Sequence, residues 1–513
     1  MSGTSGTSGG PSAAPICTPR GGVDEPDEEG LDTDCDGVDG VASGSIFASP
    51  EGDDKAQGTH EAPVRTVARA VALAREANKG AVYLCTGIYD ENVLLEGDTP
   101  DLYGGYDCKD GWARRGERSV LAPRRGVGLR VRGVDKALVL DHLEVRAPGG
   151  EEPGASSVAA LVTGSPKVTF ARSELVASDG APGADGASPA PQETFAPSGE
   201  GGESVLWFGG TCNDTQANCG LGSASLCYPY AGGYRLAFGT CGVGYAGGRG
   251  GSHCPSNSPP VSGGNWDGLS TPLDGRPGAH GTPGQKGVPS TRGWGAVSPE
   301  GDYLPSNVGA DGTPGTSGKP GEGGDGGDSP YQYSGDIVNH NFRPGGGGGQ
   351  GGFAGCGGPG GKGGGGGGAS IALLAVQSPV RLVATRLRTG RGGPGGSPSA
   401  GASGQVGGTG GPGGANTGLN GVVLGARGGK GGRGGDGGRG GPGGPGGGGP
   451  SIALLVKGAE PIVEQTLPSE VGQGGAGGLS LDGPDGAPGL AGDVVRLGPN
   501  DELAPAPSMP STP

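Results

Sequence analysis

The sequence predicts an all-β fold, a parallel β-helix (solenoid) whose coils are interrupted by long glycine-rich loops. Three observations predict it: short runs rich in Val, Leu and Ile, a recurring unit of roughly 20 residues, and glycine tracts between its copies. The chain has 513 residues with 127 Gly and 46 Pro, and 31% are hydrophobic. A core through the whole length is therefore excluded, and we expect a smaller core where the aliphatic residues concentrate.

The first part of the chain carries ordinary folding signals. Thr66 is a candidate helix cap, because its hydroxyl can accept from N–H groups two or three residues further on. Val67, Val71 and Ala74 then recur at helical spacing. We expect Gly80 to end this short helix. Runs bounded by Gly, Asp or Pro predict strands at residues 82–85, 92–95, 102–103, 128–131, 137–145 and 157–162.

A repeated unit begins at Ser156, Ala369 and Pro450. Each copy has Ser, then Val or Ile, then Ala and further aliphatic residues, followed by a turn and a second apolar strand. This pattern fits one rung of a β-solenoid, in which each rung buries its face on its neighbours. Because glycine-rich sequence separates the copies, we expect the insertions to leave from the same corner of successive rungs.

These features divide the chain into eight segments. They are a Ser/Gly/Thr tether (1–22), an acidic segment (23–44), a cap with β-helix rungs (45–177), a glycine-rich insertion (178–368) with a Cys- and aromatic-rich tip (203–256), a rung (369–390), a second glycine-rich insertion (391–449), a rung (450–471) and a Gly/Pro-rich end (472–513).

Two glycine tracts keep a period of three residues, from Gly309 to Gly327 and from Gly425 to Gly449. This period matches polyproline II geometry. Three interpretations remain open: a collagen triple helix, disordered tethers, or a bundle of antiparallel polyglycine II helices joined through backbone hydrogen bonds. The persistence of the period and the anchoring of the tracts at rungs favour the bundle, and we expect protease resistance across 391–449.

Ten cysteines in loop-like sequence predict disulfides and an oxidising compartment. They are Cys17, Cys35, Cys85, Cys108, Cys212, Cys219, Cys227, Cys241, Cys254 and Cys356. The sequence opens directly into the tether without a signal peptide, so we expect the true start upstream, or a lipoprotein cysteine before the tether. We expect an extracellular or outer-surface location; the alternative is a cytoplasmic protein with free thiols.

The acidic segment carries carboxylates at alternate positions, at Asp32, Asp34, Asp36 and Asp39, with Gly37 allowing a sharp turn. Such a pattern surrounds a hard cation with oxygen ligands, so we expect calcium binding. It is similar to the calcium loops of thrombospondin type 3 repeats and EF-hands, although the twelfth position has no bidentate Glu. Asp24 and Asp27 are additional candidate ligands, and the alternative is a solvated acidic linker.

Aromatic residues concentrate in the tip of the first insertion. The candidates for ligand contact are Trp207, Tyr228, Tyr230 and Tyr234, together with Phe208. A projection that presents these rings at its far end would suit contact with a surface or carbohydrate. The alternative is that the rings fill a small core within the tip itself.

Charged residues around one predicted strand are the clearest candidates for polysaccharide chemistry. They are Asp135, Lys136, Asp141, His142, Glu144 and Arg146. Strand alternation would place Asp141 on the same face as Leu143 and Val145. None of the five His lies in a recognisable nucleophile motif, and we expect these charges to face solvent rather than to perform catalysis.

Residues 46–107 resemble the N-terminal part of pectin-lyase-like right-handed parallel β-helix proteins of bacterial surfaces. The matching residues are Pro50, Gly52, Asp53, Gly58, Thr59, Pro63, Thr66, Ala70, Gly87, Tyr89, Glu91 and Asn92. With the acidic segment, the chain is also similar to exported proteins of myxobacteria-like organisms. The resemblance implies a capping helix before the first rungs and carbohydrate contact at a cell surface.

The sequence therefore predicts an exported structural or adhesion protein that contacts carbohydrate, rather than an enzyme. A polysaccharide lyase or glycoside hydrolase is the first alternative, and a mechanical spacer without ligand is the second. A net charge of −16 argues against nucleic-acid binding. No run of 18 apolar residues predicts a transmembrane helix.

Overall fold

The computed structural model describes residues 24–27, 30, 32–109, 111–114, 117–190, 195–202, 205–207, 238–239, 242–243, 273–305, 307–326, 346–418, 427–464 and 468–504. In these residues the protein is mostly β, with one α-helix and one 3-10 helix. The helices are α1 (Val67–Glu76) and the 3-10 turn Ala42–Gly44.

The strands are β1 (Ser45–Ala48), β2 (Ala81–Cys85), β3 (Gly87–Tyr89), β4 (Val93–Glu96), β5 (Asp101–Asp107), β6 (Ala113–Arg114), β7 (Ser119–Leu121), β8 (Leu129–Arg132), β9 (Leu138–Asp141), β10 (Leu143–Ala147), β11 (Ser157–Thr163), β12 (Val168–Ala171), β13 (Glu174–Ala177), β14 (Val205–Trp207), β15 (Phe238–Gly239), β16 (Gly242–Val243), β17 (Ala296–Val297), β18 (Tyr303–Leu304), β19 (Ser370–Val376), β20 (Arg381–Val383), β21 (Arg386–Thr389), β22 (Asn416–Gly418), β23 (Ser451–Lys457), β24 (Ile462–Glu464) and β25 (Ala491–Leu497).

Three parallel sheets form the folded part of the chain. Sheet A has the order β1-β2-β5-β9-β12-β20-β24, with β6 antiparallel to β5. Sheet B has the order β21-β13-β10-β7-β3, and sheet C the order β25-β23-β19-β11-β8-β4. From β2 to β13 the chain visits sheets A, B and C repeatedly in that order, so successive strands stack on earlier ones in each sheet.

One apolar core collects residues from all three sheets and from α1. Leu140 of sheet A, Leu143 of sheet B and Val131 of sheet C are fully buried members of this core. A second cluster covers the opposite face of sheet C, where the β17–β18 hairpin packs Val297 and Tyr303 onto it. Burying each such side chain contributes about 1.5–3 kcal/mol, so aliphatic residues concentrate where the sheets meet.

Helix α1 forms as the sequence predicts. The Thr66 hydroxyl accepts from Arg69 N–H, and Val67, Ala70, Val71 and Ala74 are buried. Its helical hydrogen bonding ends at Glu76 rather than at Gly80, because Asn78 already adopts a left-handed conformation at φ 51°. The Glu91 carboxylate accepts from the Val67 and Ala68 N–H groups, 2.6 and 3.1 Å away, which satisfies the free donors of the first turn.

The three copies of the repeat pair directly with one another in sheet C. Ser157 lies opposite Ser370, and Ser370 lies opposite Ser451. Each serine hydroxyl bonds the backbone or side chain at the corner where a glycine-rich segment leaves or returns, as Ser451 does to the carbonyl of Gly390 at 2.9 Å. The repeated serine therefore fixes the corner between sheets B and C.

The glycine-rich sequence forms a bundle of extended segments that begins at this corner. The long segments are 180–202 (described without 191–194), 273–290, 307–325, 346–368, 390–414 and 427–449, and the short ones are 472–478 and 486–489. Their backbone hydrogen bonds join different segments and recur every third residue. For example, Gly431, Gly434 and Gly437 donate to the carbonyls of Gly411, Gly408 and Gln405.

Segment 427–449 lies among the others and bonds to four long segments. It donates to segments 390–414 and 307–325 and accepts from segments 346–368 and 273–290. Between residues 428 and 447 two of every three residues are Gly, and nearly all of these glycines are buried. A Cβ added at Gly434 would collide with the carbonyl of Phe353, so the repeated pair of glycines is a packing requirement.

The remaining position of each triplet is chemically distinct. Its N–H group often has no carbonyl partner in a neighbouring segment, and a side chain accepts from it instead. Asp274 accepts from Lys430, Asp185 from Ser397, and Asp311 from Gly363, at 2.7 to 2.9 Å. Elsewhere proline removes the donor, at Pro277, Pro283, Pro289, Pro314, Pro320, Pro442 and Pro445.

Candidate functional site

The acidic segment brings three carboxylates together. Asp24, Asp32 and Asp34 each offer an oxygen, and these oxygens lie within 4.8 Å of one another. Asp24 is buried, and its two oxygens accept from the Thr33 hydroxyl at 2.6 Å and the Gly40 N–H at 2.9 Å. Carboxylate oxygens gathered on a tight loop are the type of ligand that a hard cation such as calcium takes.

Backbone hydrogen bonds shape this loop. Asp32 accepts from the N–H groups of Asp36 and Gly37, at 3.1 and 2.9 Å. Cys35 and Gly37 both have positive φ, 65° and 95°, which curls the chain around the carboxylates. Desolvation, reinforced by the charges of Asp36, Asp24 and Asp32, raises the pKa of Asp34, so a bound cation would relieve an existing repulsion.

The other two predicted calcium ligands, Asp36 and Asp39, make different contacts. The Asp36 carboxylate accepts from the Val38 and Ala42 N–H groups, at 3.2 and 2.7 Å. Asp39 is fully buried, and its Oδ1 accepts from the Asp27 N–H at 3.1 Å. Neither belongs to the group of three carboxylates, and Asp24 completes that group in their place.

Asp39 faces a buried arginine. Its Oδ2 lies 3.9 Å from Arg114 Nε and has no hydrogen-bond partner among the described residues. Burial raises the pKa of Asp39 to about 7, against the opposing effects of the Asp27 N–H and the Arg114 charge. The attraction of the Arg114 guanidinium therefore does not compensate the desolvation cost of ionising Asp39.

Arg114 is the centre of a buried ionic network. Its Nη2 lies 2.7 Å from Asp141 Oδ2, and its Nη1 donates to the carbonyl of Asp27 at 3.0 Å. Arg172 pairs with the same Asp141 carboxylate. The network fastens the acidic segment to sheet A, since Arg114 belongs to β6 and Asp141 to β9.

The candidate catalytic residues do not converge on an open site. Asp141 ends β9 and Leu143 begins β10 in a different sheet, with His142 between them at φ 59°. The prediction that Asp141 lies on one face of a single strand with Leu143 and Val145 is therefore wrong.

The other members of this set are dispersed or paired. Lys136 pairs with Asp98 at 2.6 Å, and Glu144 pairs with Arg146. Asp135 lies in the turn before β9, outside any pairing with the rest of the set. Lys136, Glu144 and Arg146 are therefore engaged in ion pairs rather than gathered at one groove.

A cleft that the sequence did not indicate lies where sheet A meets sheet B. Residues of the β1–α1 loop, the β2–β3 turn and the β5–β6 turn line a space of about 640 Å³. Trp112 forms part of its wall and donates from Nε1 to the His60 carbonyl at 3.0 Å. The Lys109–Glu51 ion pair, at 3.2 Å, also lies along this cleft.

Of the aromatic candidates, only Trp207 lies among the described residues. Trp207 ends β14, which pairs in parallel with β22 so that Trp207 lies opposite Gly418. Phe208, Tyr228, Tyr230 and Tyr234 lie outside the described residues.

The described cysteines are oxidised. Cys85 and Cys108 form a disulfide that ties the end of β2 to the turn after β5. Cys35 and Cys356 are also disulfide-bonded. The remaining six, Cys17, Cys212, Cys219, Cys227, Cys241 and Cys254, lie outside the described residues.

No protein family, no curated protein and no solved structure matches this chain. Across the described residues, no helix has the length and apolar character needed to cross a membrane.

Proposed function

We propose that this protein is an exported surface protein that holds a ligand-contacting tip away from a rigid base. The observation that carries the proposal is the bundle itself. Its segments are joined by backbone hydrogen bonds that recur every third residue, starting at the corner between sheets B and C. Segment 427–449 packs through glycine at two of every three positions, which favours a rigid support over a flexible tether.

The base is best interpreted as a right-handed parallel β-helix of the pectin-lyase-like kind. The repeated A, B, C order of the strands supports this, as does the position of α1 beside the first strands. Glu91 and Thr66, both part of the sequence resemblance, cap that helix. The disulfides support an oxidising compartment and hence export.

The bundle is best interpreted as packed polyglycine II helices, both parallel and antiparallel. A rise of about 3.1 Å per residue would make a segment of 23 residues, such as 427–449, roughly 70 Å long. A projection of that length would present the Cys- and aromatic-rich tip far from the sheets. Carbohydrate is the ligand class we assign to the tip, through Trp207, Tyr228, Tyr230 and Tyr234.

A glycan array with the full chain tests this function. We expect binding to a subset of glycans and its loss in the variant Tyr228→Ala, Tyr230→Ala, Tyr234→Ala. The matched control, Ile88→Ala, Leu94→Ala, Leu479→Ala, removes three exposed apolar side chains elsewhere and should bind normally. Absence of glycan binding by the unmodified chain would instead favour a mechanical spacer.

Calcium is the ion we assign to the carboxylates of Asp24, Asp32 and Asp34. The three side chains supply part of the six to eight oxygens that calcium takes, and backbone carbonyls and water would supply the others. Titration calorimetry should detect calcium binding to the full chain and a weaker response in Asp34→Asn. Asp90→Asn, at an exposed carboxylate on another surface, is the control. Equal heats of calcium binding for Asp34→Asn and Asp90→Asn would contradict the assignment of calcium to these three carboxylates.

A further inference from the structure

A row of basic side chains runs along the bundle on segment 427–449. Arg427, Lys430, Arg433 and Arg439 occupy the non-glycine positions of successive triplets, with Asp436 as the one acidic member. All four basic residues are exposed, whereas the glycines beside them are largely buried. This concentration of positive charge is notable on a chain whose net charge is −16.

The packing of the bundle holds this row in place. The Lys430 carbonyl accepts from Gly275, and the Lys430 N–H donates to Asp274, so segment 273–290 borders one side. Arg439 Nε donates to the Gly401 carbonyl at 3.2 Å, and segment 390–414 therefore borders the other. The row consequently lies between two rigid segments rather than on a flexible loop.

Most of the charge in the row is not neutralised. Asp436 pairs with Arg433 and lies 3.4 Å from His280 Nδ1. Within the described part of the chain, Arg427, Lys430 and Arg439 have no carboxylate at ion-pair distance. At a rise of about 3.1 Å per residue, adjacent positions in the row are roughly 9 Å apart. The structure thus presents a sparse row of positive charges along the segment, interrupted at one position by Asp436.

We propose that this basic row binds a linear acidic polysaccharide along the side of the bundle. The proposal rests on the proposed surface role and adds to it a second contact, separate from the aromatic tip. Nucleic acid fits the row less well, since duplex DNA carries about one charge per 1.7 Å and the row offers no aromatic side chain for stacking. An acidic polysaccharide, whose charges lie on single sugars along one extended chain, is less densely charged than duplex DNA and suits the wider spacing.

Binding of the full chain to polygalacturonate and to chondroitin sulfate tests the row, with neutral dextran and single-stranded DNA as comparison polymers. We expect the variant Lys430→Gln, Arg433→Gln, Arg439→Gln to bind the acidic polysaccharides roughly tenfold more weakly at low salt, because exposed charge pairs are individually weak but act together. Charge-retaining changes at the same positions, Lys430→Arg, Arg433→Lys and Arg439→Lys, should restore most of the affinity.

The matched control is Arg124→Gln, Arg125→Gln, Lys167→Gln, which removes three positive charges from exposed positions outside the bundle. Equal weakening in both triple variants would mean that only net charge matters and would overturn the proposal. So would tighter binding of DNA than of either acidic polysaccharide. The tip variant should keep this binding, so a failure of the basic row is distinguishable from a failure of the tip.

Discussion

At the scale of single residues, the buried charges around Arg114 decide how the acidic segment is held. Asp141 is fully buried and serves both Arg114 and Arg172. A buried arginine that loses its carboxylate partner retains its desolvation cost without compensation. The network therefore makes attachment of the acidic segment depend on one carboxylate in sheet A.

We expect Asp141→Asn to lower the free energy of unfolding by about 3 kcal/mol, because it leaves two guanidinium groups with a neutral partner. Denaturant unfolding followed by circular dichroism measures this change. Arg124→Gln, which breaks the exposed pair with Asp90, is the control and should cost less than about 1 kcal/mol. Equal effects of the two changes would show that the buried network contributes no more than a surface pair.

Asp39 makes stability depend on pH in a defined direction. Its pKa in the folded protein is about 7, above the ordinary value of 3.8. The folded state therefore binds this proton more tightly than the unfolded state. The contribution of Asp39 to the free energy of unfolding is complete below pH 3.8 and is lost as the pH rises through about 7.

We expect Asp39→Asn to flatten that part of the stability profile, measured as unfolding free energy between pH 4 and 8. Asp90→Asn should leave the slope unchanged. A slope in Asp39→Asn equal to that of the unmodified chain would assign the pH dependence to another group.

At the scale of elements, the sequence could predict the parts whose signals are local. Thr66 caps the helix that contains Val71 and Ala74, and the repeated serine-aliphatic unit pairs in register because each copy has the same alternation. The three-residue period of glycine likewise reflects a local geometric requirement. Each of these patterns predicts its structure from sequence because the residues involved are close in sequence or identical in each copy.

The candidate site could be predicted only in part, for the opposite reason. Asp32 and Asp34 follow from their spacing and Asp24 is an additional candidate, but the choice of Asp24 over Asp36 and Asp39 depends on a loop that the Gly40 N–H closes. The partner of Asp39 is Arg114, far along the chain, and no local pattern indicates that contact. Partners brought together by the stacking of strands cannot be identified from spacing alone.

The two kinds of position in the bundle should respond very differently to alanine. Gly434→Ala places a methyl group against the Phe353 carbonyl and should cost about 1–3 kcal/mol, whereas Arg433→Ala changes an exposed position and should cost under about 0.5 kcal/mol. Hydrogen exchange across segment 427–449 measures the difference. Equal exchange rates in the two variants would contradict the packing requirement for glycine.

At the scale of the whole molecule, the bundle and the sheets share one corner and one hydrogen-bond system. Ser370 N–H donates to the Pro450 carbonyl and Gly390 N–H to the Ala177 carbonyl, so the bonding of the bundle continues into the strands. The projection is therefore an extension of the stacked sheets.

This continuity predicts resistance to trypsin at sites that are exposed. Lys430, Arg433 and Arg439 lie on the surface, yet cleavage requires several residues of segment 427–449 to leave four neighbouring segments. We expect peptides ending at these residues to appear only when the sheets unfold, as followed by mass spectrometry during a temperature series. Early cleavage at Arg433 in the intact protein would show that the bundle opens independently.

The three-residue spacing of the bundle bonds has a consequence for how the projection can change in evolution. Adding one triplet to every long segment would repeat the same bonds and lengthen the projection by about 9 Å. Adding one or two residues to any single segment would instead place side chains where glycine is required. Insertions and deletions in this part of the gene should therefore be tolerated in units of nine nucleotides, with matched changes in neighbouring segments.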